Sequence, residues 1–306
     1  MNSTVLPRGT RTPFVDKQYE VNVHADVKYG IGGVGAGQGR GVRYRDLTLD
    51  IYEPVDDGAM RRPALILAFG GAFHRGSKRE DFFVEGEHRN TSVSEYCREF
   101  ARRGYVCFSI DYRLMQEQPD PGLTPTLPPN VELNLDRVNH VRGVLGLPPC
   151  TTRMMADEIE AATDDMTGAV NFVRGRAHAM RIDVSRVAIG GFSAGAMVAL
   201  NSAFAECAPV AAVVALSGRM SMATAEACVT GQPGEPAVIT FIGQDDLPAM
   251  LEGLEGPVAH LRKLGITYDV VRIDGATHFY PRTAAVFAPD GRRTDVESVM
   301  ADFLYR

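Results

Sequence analysis

The segment Gly191-Phe192-Ser193-Ala194-Gly195 sets a serine hydroxyl between two glycines, where an apolar strand, Val187 to Ile189, gives way at once to an apolar helix through Leu200. A serine on so tight a strand-to-helix turn must hold a strained backbone. The residues two before and two after it then lie too close for side chains, and Gly191 and Gly195 meet that demand. Such a turn presents the hydroxyl at the carboxyl edge of a sheet, and the N-terminus of the following helix favours negative charge developing there. These residues suit nucleophilic attack on a carbonyl carbon.

A serine alcohol is a weak nucleophile at neutral pH, so a base must stand beside it and a carboxylate must orient that base. His260 lies inside a helical stretch beside Leu261 and reads as a packing or surface residue. His278 follows the last predicted strand in Asp274-Gly275-Ala276-Thr277-His278, at a carboxyl end from which it can reach Ser193. The acid is expected after the strand Val238 to Ile242, in Gly243-Gln244-Asp245-Asp246. Asp246 has the favoured offset from the glycine; Asp245 is the alternative, and Asp269 and Asp274 are remote options. A tetrahedral intermediate also needs donors for its oxyanion. The N–H of Ala194 is one candidate, and the other is expected from the loop Phe69-Gly70-Gly71-Ala72-Phe73-His74-Arg75-Gly76-Ser77, whose consecutive glycines let the backbone turn its N–H groups into a pocket.

Elements able to position these residues are legible in the pattern. From Pro63 onward, short apolar runs alternate with stretches of helical period, which predicts a mostly parallel central sheet with helices on both faces. The predicted strands are Ala64 to Phe69, Val106 to Ile110, Val187 to Ile189, Val210 to Leu216, Val238 to Ile242 and Tyr268 to Ile273. Ser92-x-x-Glu95 forms a capping box ahead of Val93, Tyr96, Cys97, Phe100 and Ala101, and Gly104 ends that helix. A second helix carries Ile159, Ala162, Met166, Ala169 and Val173 on one face. A third is expected to open at Gly256-Pro257 and close at Gly265, and a last to be capped by Thr294-x-x-Glu297. Val21 to Pro54 reads as an antiparallel strand pair at the sheet edge. Residues 115–152, rich in Pro, Leu and Asn, read as a lid inserted into a single domain spanning 1–306.

Gly30-Ile31-Gly32-Gly33-Val34-Gly35 fits the dinucleotide fingerprint G-x-G-x-x-G, but further glycines at 37, 39 and 41 lead into another strand. A pyrophosphate site needs a helix N-terminus there, so a flexible hairpin turn is expected, and no nicotinamide or flavin. The net charge of -6 leaves no basic field for nucleic acid. Neither a signal peptide nor a run of ~18 apolar residues appears, so the chain reads as cytoplasmic with no membrane span. Five cysteines without paired spacing argue for reduced thiols, although a bridge between Cys207 and Cys228 stays open. The sequence leaves homo-oligomerisation open.

Taken together, Leu49-Asp50-Ile51-Tyr52-Glu53-Pro54, Gly70-Gly71-Ala72-Phe73 with Gly76-Ser77, Asp111-Tyr112-Arg113-Leu114, Gly191 to Gly195, Gly243 to Asp246 and Gly275 to His278 resemble the α/β-hydrolase carboxylesterases. The likeness runs from about Leu47 to the C-terminus, and is nearest to the branch related to hormone-sensitive lipase and small bacterial feruloyl and acetyl esterases. It implies an α/β-hydrolase fold, a catalytic triad of Ser193, Asp246 and His278, and oxyanion donors at Gly71, Ala72 and Ala194. That family's His-Gly-Gly-Gly motif here begins with Phe69 and ends with Ala72, so the side chain that braces the loop in the family is missing.

The resemblance implies a serine carboxylesterase that forms an acyl-enzyme from small acyl or aryl esters, with no metal or cofactor. An amidase or peptidase with the same triad, and a non-catalytic ligand receptor on a hydrolase scaffold, are the alternatives. The insertion offers Leu114, Met115, Leu123, Leu127, Leu133 and Leu135 to an apolar substrate group. Arg137, His140, Arg142 and Arg153 are its candidates for a carboxylate.

Overall fold

The computed structural model describes residues 13–38, 41–79, 84–122 and 125–306. Its strands are β1 (Val21–Val34), β2 (Arg43–Pro54), β3 (Arg62–Ala68), β4 (Val84–Glu85), β5 (His88–Arg89), β6 (Val106–Ile110), β7 (Ile182–Phe192), β8 (Ala212–Leu216), β9 (Ala237–Gly243), β10 (Tyr268–Ile273), β11 (Ala285–Phe287) and β12 (Arg293–Asp295). The helices are α1 (Val93–Ala101), α2 (Asp136–Val144), α3 (Thr152–Gly175), α4 (Ala194–Phe204), α5 (Met222–Cys228), α6 (Pro248–Lys263) and α7 (Val296–Tyr305). Eight strands form one sheet in the order β1-β2-β6-β3-β7-β8-β9-β10. β1, β2 and β6 pair antiparallel and the rest of the sheet is parallel.

Every residue of β3 and β6 is buried, so both faces of the sheet's centre are covered, as the unbroken apolar runs of these strands require. Ser92 caps α1 by accepting the N–H of Glu95, and Val93, Tyr96, Cys97, Phe100 and Ala101 are buried below it. The carboxyl ends of β7, β9 and β10 lie along one edge of the sheet, with β8 between the first two, and the sequences that follow them carry Ser193, Asp246 and His278.

Several elements differ from their sequence expectation. α6 begins at Pro248, not at Gly256, and Pro257 sits inside it. Proline at a first turn costs nothing, whereas Pro257 lacks the N–H that would bond Gly253 O; burial of Leu254, Pro257, Val258 and Leu261 outweighs that loss. The α7 cap is Asp295, the last residue of β12, which accepts the N–H of Ser298 at 2.8 Å; Thr294 lies one position further back in that strand, paired with Val286. Glu297 serves instead as a buried anion for Lys17, Arg103 and Arg282. Among the glycines of the rejected fingerprint, Gly30, Gly32 and Gly33 are strand residues of β1, and the turn comes after them; Gly39 lies outside the described residues. A Cβ at Gly32 would stand 2.6 Å from Arg113 Cδ, so this glycine admits a side chain from another strand's end. Arg113 donates to both oxygens of Asp165 and to the carbonyls of Ala161 and Asp120, tying α3 and the insertion together against β1.

Residues 115–152 contain a 3₁₀ turn at Met115–Glu117 and the helix α2, with Leu123 outside the described residues. Behind this segment, α3 buries Glu158 completely, and neither of its carboxyl oxygens has a hydrogen-bond partner among the described residues. Burial, then the charges of Asp165 and Glu117, push this carboxyl well above its usual range; Arg113 and Arg45 oppose them. The folded chain thus keeps a proton that the unfolded chain releases, so stability is greatest in acid and falls as pH rises through the raised value. Glu158→Gln removes this slope. Relative to wild type it should gain up to about 1.4 kcal/mol per pH unit as pH rises from about 5 towards the raised value. Urea midpoints at both ends of that range test this; a stability difference independent of pH would contradict it.

Candidate active site

Ser193 sits at φ 53° and ψ -112°, between the last residue of β7 and the first of α4. The conformation is held from both sides. Its N–H donates to Leu216 O at 2.8 Å, and its own carbonyl accepts from Ala196 and Met197 at 3.1 and 3.2 Å. The crowding that the sequence implied is severe: Cβ atoms at Gly191 and Gly195 would lie 2.4 and 2.2 Å from Ala68 O.

His278 Nε2 stands 2.9 Å from Ser193 Oγ, and His278 Nδ1 stands 2.6 Å from Asp246 Oδ1. An ionised carboxylate can only accept, so Nδ1 carries the proton and Nε2 is left as an acceptor for the serine hydroxyl. The ring is buried and wedged between Phe192 and Phe279, with centroids at 5.3 and 5.1 Å. Asp246 is also buried. Its Oδ2 accepts from Ser217 Oγ at 2.7 Å and its Oδ1 from the N–H of Leu247 at 2.7 Å, so the carboxylate is oriented from three directions. Asp245, Asp274 and Asp269 lie elsewhere: the first two are exposed, and Asp269 accepts from Arg306 at 3.1 Å. His260 is in the last turn of α6, away from the serine.

The loop after β3 reaches the same point. Gly71 and Ala72 line a narrow slot with Ser193 and His278, and Ala72 and Ala194 line a larger cavity with Ser193. Among the described residues the N–H groups of Gly71, Ala72 and Ala194 make no hydrogen bond. Gly71, Ala72 and Phe73 all adopt positive φ, at 115°, 53° and 60°, which is costly for the two that carry a Cβ. The brace that the sequence lacked at position 69 comes from other residues. Tyr112 donates to Phe69 O at 2.9 Å and stacks on its ring, and Met115 N donates to Phe73 O at 2.9 Å. His74 Nδ1 donates to Ala72 O at 2.7 Å, and His74 Nε2 accepts from Arg142 Nη1 at 3.0 Å. Burial holds the His74 imidazole below its usual range, which suits this neutral, donor-acceptor role. Sequence reading gave no role to His74 or Ser217; no local motif marks either, because the side chains they meet, Arg142 and Asp246, are distant in the chain.

The cavity beside Ser193 has a volume of about 540 Å³ and is walled by Leu127, Leu133, Val138, Met155, Ile159 and Met197. Part of that wall belongs to residues 115–152. Of the four basic residues considered there, Arg137 and His140 line the cavity, Arg142 is engaged with His74 and the Pro148 carbonyl, and Arg153 pairs with Asp157 at the surface. Arg219, not singled out from sequence, also lines it, with its guanidinium donating to the carbonyls of Ala249 and Met220. All five cysteines are thiols, Cys207 and Cys228 included. Among the described residues no helix is long and apolar enough to cross a membrane.

Against known proteins, the phospholipase/carboxylesterase family profile matches residues 151–246, which contain Ser193 and Asp246. Nothing among curated proteins matches the chain. Solved structures do. Esterase 2 of Thermogutta terrifontis, phosphonylated by cyclosarin, is similar with a TM-score of 0.55 and 18% identity, covering 85% of this chain and 84% of that one. Its propionate-bound form gives 0.51 and 20% over 76% of this chain and 80% of that one, and its butyrate-bound form 0.50 and 19% over the same shares. The chain has the α/β-hydrolase fold.

The two adjacent aspartates separate cleanly by experiment. Asp246→Asn should slow labelling of Ser193 by a fluorophosphonate by about 10⁴-fold, because the amide favours the wrong imidazole tautomer. Asp245→Asn should stay within about twofold of wild type, as expected for an exposed carboxylate. Equal losses in the two variants would remove Asp246 from this role.

Proposed function

We propose that this chain is a serine carboxylesterase, with Ser193 as nucleophile, His278 as general base and acid, and Asp246 as the carboxylate that orients the ring. The observation that carries the reading is the unbroken hydrogen-bonded line from Ser193 Oγ through both nitrogens of His278 to Asp246, at 2.9 and 2.6 Å.

In this reading Ser193 Oγ attacks the ester carbonyl while its proton passes to His278 Nε2, and Asp246 stabilises the imidazolium that results. The carbonyl oxygen becomes an oxyanion. The N–H groups of Ala194 and Ala72, with Gly71 beside them, are its donors; each such donor is worth about 10²–10³ in rate. Collapse breaks the bond between carbonyl carbon and alcohol oxygen, and His278 returns its proton to the departing alcohol. Water, deprotonated by His278, then attacks the acyl carbon; the bond from that carbon to Ser193 Oγ breaks, His278 returns the proton to the serine, and the acid leaves.

The apolar cavity supports short or medium acyl groups, or aryl groups, and the propionate- and butyrate-bound forms of the Thermogutta terrifontis esterase point the same way. Residues 115–152 are proposed as the lid that closes this cavity. The Gly70-Gly71-Ala72 and Asp111-Tyr112-Arg113 segments favour the branch related to hormone-sensitive lipase and the feruloyl and acetyl esterases. Thiols throughout suit a reducing compartment such as the cytoplasm.

A screen of p-nitrophenyl esters of increasing chain length against matched anilides, with Ser193→Ala as control, tests the proposal. The expected result is ester turnover well above anilide turnover, lost by about three to six orders of magnitude in Ser193→Ala. Anilide preference would make the enzyme an amidase. A folded wild-type protein that neither turns over esters nor reacts with a fluorophosphonate would be a ligand receptor.

A further inference from the structure

The 540 Å³ cavity beside Ser193 is apolar over most of its wall, yet it also carries polar groups that the fold leaves without partners. Ser193, Met197 and Asn201 follow one another at four-residue spacing along one face of α4, and all three line the cavity, which therefore extends along that helix for about 12 Å from the nucleophile. Asn201 is only 2% exposed, and its carboxamide makes no hydrogen bond among the described residues. A buried amide in that state is costly unless something bound in the cavity completes it.

Arg219 is the charged member of this polar wall. It follows Gly218, where a Cβ would stand 2.4 Å from Ala196 Cβ, so its backbone is pressed against the first turn of α4. Its Nε donates to Ala249 O on α6 at 2.9 Å and its Nη1 to Met220 O at 3.2 Å. A Cβ on Gly253 would stand 2.0 Å from Arg219 Cζ, so the guanidinium takes the place of a side chain in the middle of α6, where glycine is otherwise a poor helix former. Two hydrogen bonds and this seat fix the group. Its Nη2 makes no hydrogen bond among the described residues, and no carboxylate pairs with it. Burial holds the guanidinium below its usual range, and no neighbouring acid offsets that. The carboxylates that line the cavity, Glu132, Asp136 and Glu252, are exposed. A half-buried, fixed and unpaired cation is costly to the fold and suited to an anion that enters from outside, and a guanidinium fork is matched to a carboxylate. Arg137 also lines the cavity without a hydrogen bond or ion pair among the described residues, but it is not fixed as Arg219 is; its guanidinium lies 5.9 Å from the centre of the Phe279 ring.

The slot that joins Ser193 to His278 has a volume of about 10 Å³, room for one water. An acyl group bonded to Ser193 therefore lies in the larger cavity, and the slot suits the water that His278 activates. We propose that the acyl half of the substrate carries a carboxylate, which Arg219 receives with Asn201 as a neutral donor in the same cavity, so that the enzyme acts on half-esters of dicarboxylic acids. The inference rests on the ester-hydrolase reading above and names its acyl group. In acylation a bond forms between Ser193 Oγ and the acyl carbon, and the bond from that carbon to the alcohol oxygen breaks. The proton taken from Ser193 passes through His278 to that oxygen, and the alcohol leaves. Water then cleaves the bond to Ser193 Oγ, and the product released is a dicarboxylate.

The test compares substrates that differ in charge and little else. Monomethyl esters of succinate, glutarate and adipate, each against the compound in which a carboxamide replaces the free carboxylate, place the charge on the acyl group at three lengths. O-acetylglycolate against O-acetylglycolamide places it on the alcohol. Each kcat/KM is divided by the rate of hydroxide-catalysed hydrolysis, and each ratio is taken within one preparation, so that a smaller folded fraction cancels. At the best-fitting length the wild-type enzyme should prefer the charged half-ester over its amide by about tenfold or more, the scale of one charge-assisted hydrogen bond, and added salt should shrink that preference. Arg219→Gln should bring the ratio towards one, Arg219→Lys should keep part of it, and Asn201→Leu should lower it less than Arg219→Gln does. Arg137→Gln should keep most of it. Ratios near one at all three lengths, or turnover of the p-nitrophenyl esters above but of none of the half-esters, would overturn this proposal and leave the esterase reading standing. So would a preference confined to the glycolate pair, or a ratio that survives Arg219→Gln. If neither these esters nor the p-nitrophenyl esters are hydrolysed, the esterase reading itself falls.

Discussion

The site depends on how closely backbone approaches backbone at the ends of two pairs of neighbouring strands, β3 with β7 and β9 with β10. The carbonyl oxygen of Ala68 lies 2.4 and 2.2 Å from where Cβ atoms would stand on Gly191 and Gly195. The end of β3 is therefore pressed into the turn that carries Ser193. A second contact of the same kind lies nearby: a Cβ on Gly243 would meet Thr277 O at 2.1 Å, which holds the loop bearing Asp246 against the loop bearing His278. Backbone atoms have no rotamers. Positions fixed by such contacts lose little to thermal motion, and a chain of hydrogen bonds as short as 2.6 and 2.9 Å needs that precision at both ends.

This constraint explains which parts of the site were legible in the sequence. A turn that forbids side chains writes itself as glycines at fixed offsets from Ser193, and the strand and helix flanking it declare themselves by their own periods. His278 and Asp246 are legible for the same reason, since each lies just after a strand in a parallel sheet, where the carboxyl ends converge. The supports of the site are another matter. Ser217 reaches Asp246 across 29 positions and His74 meets Arg142 across 68, and neither pair leaves a local pattern. The misplaced start of α6 has a different cause: Pro257 signals a helix opening by local rules, and tertiary burial overrules it. The final helix shows a third kind of failure, in which Thr294-x-x-Glu297 has the right spacing for a cap but both residues are claimed by other partners.

Net charge proved a poor guide to local field. The chain carries -6 overall, yet basic side chains gather around the serine: Arg75 and Arg137 in the slot, Arg219 in the cavity wall and Arg142 beneath the loop. Two of the four are committed to carbonyls or to His74, and Arg137 makes no hydrogen bond or ion pair among the described residues. Screening in water confines the distant acidic surface to a minor part at such range, whereas a half-buried guanidinium is screened less.

Arg113 links regions that lie far apart in the sequence. Its guanidinium is bonded to Asp165 on α3, to the carbonyl of Asp120 in the insertion and to that of Ala161, and it passes over a strand position where any methyl group would collide with it. Glycine at 32, arginine at 113 and aspartate at 165 thus form a linked set, although nothing in their spacing announces it. Losing the aspartate strands a buried cation, losing the arginine strands a buried anion, and enlarging the glycine displaces both. Drift at any one of these positions is closed off unless the other two change with it, so the outer ribbon of the sheet and the wall of the cavity are bound to a shared history.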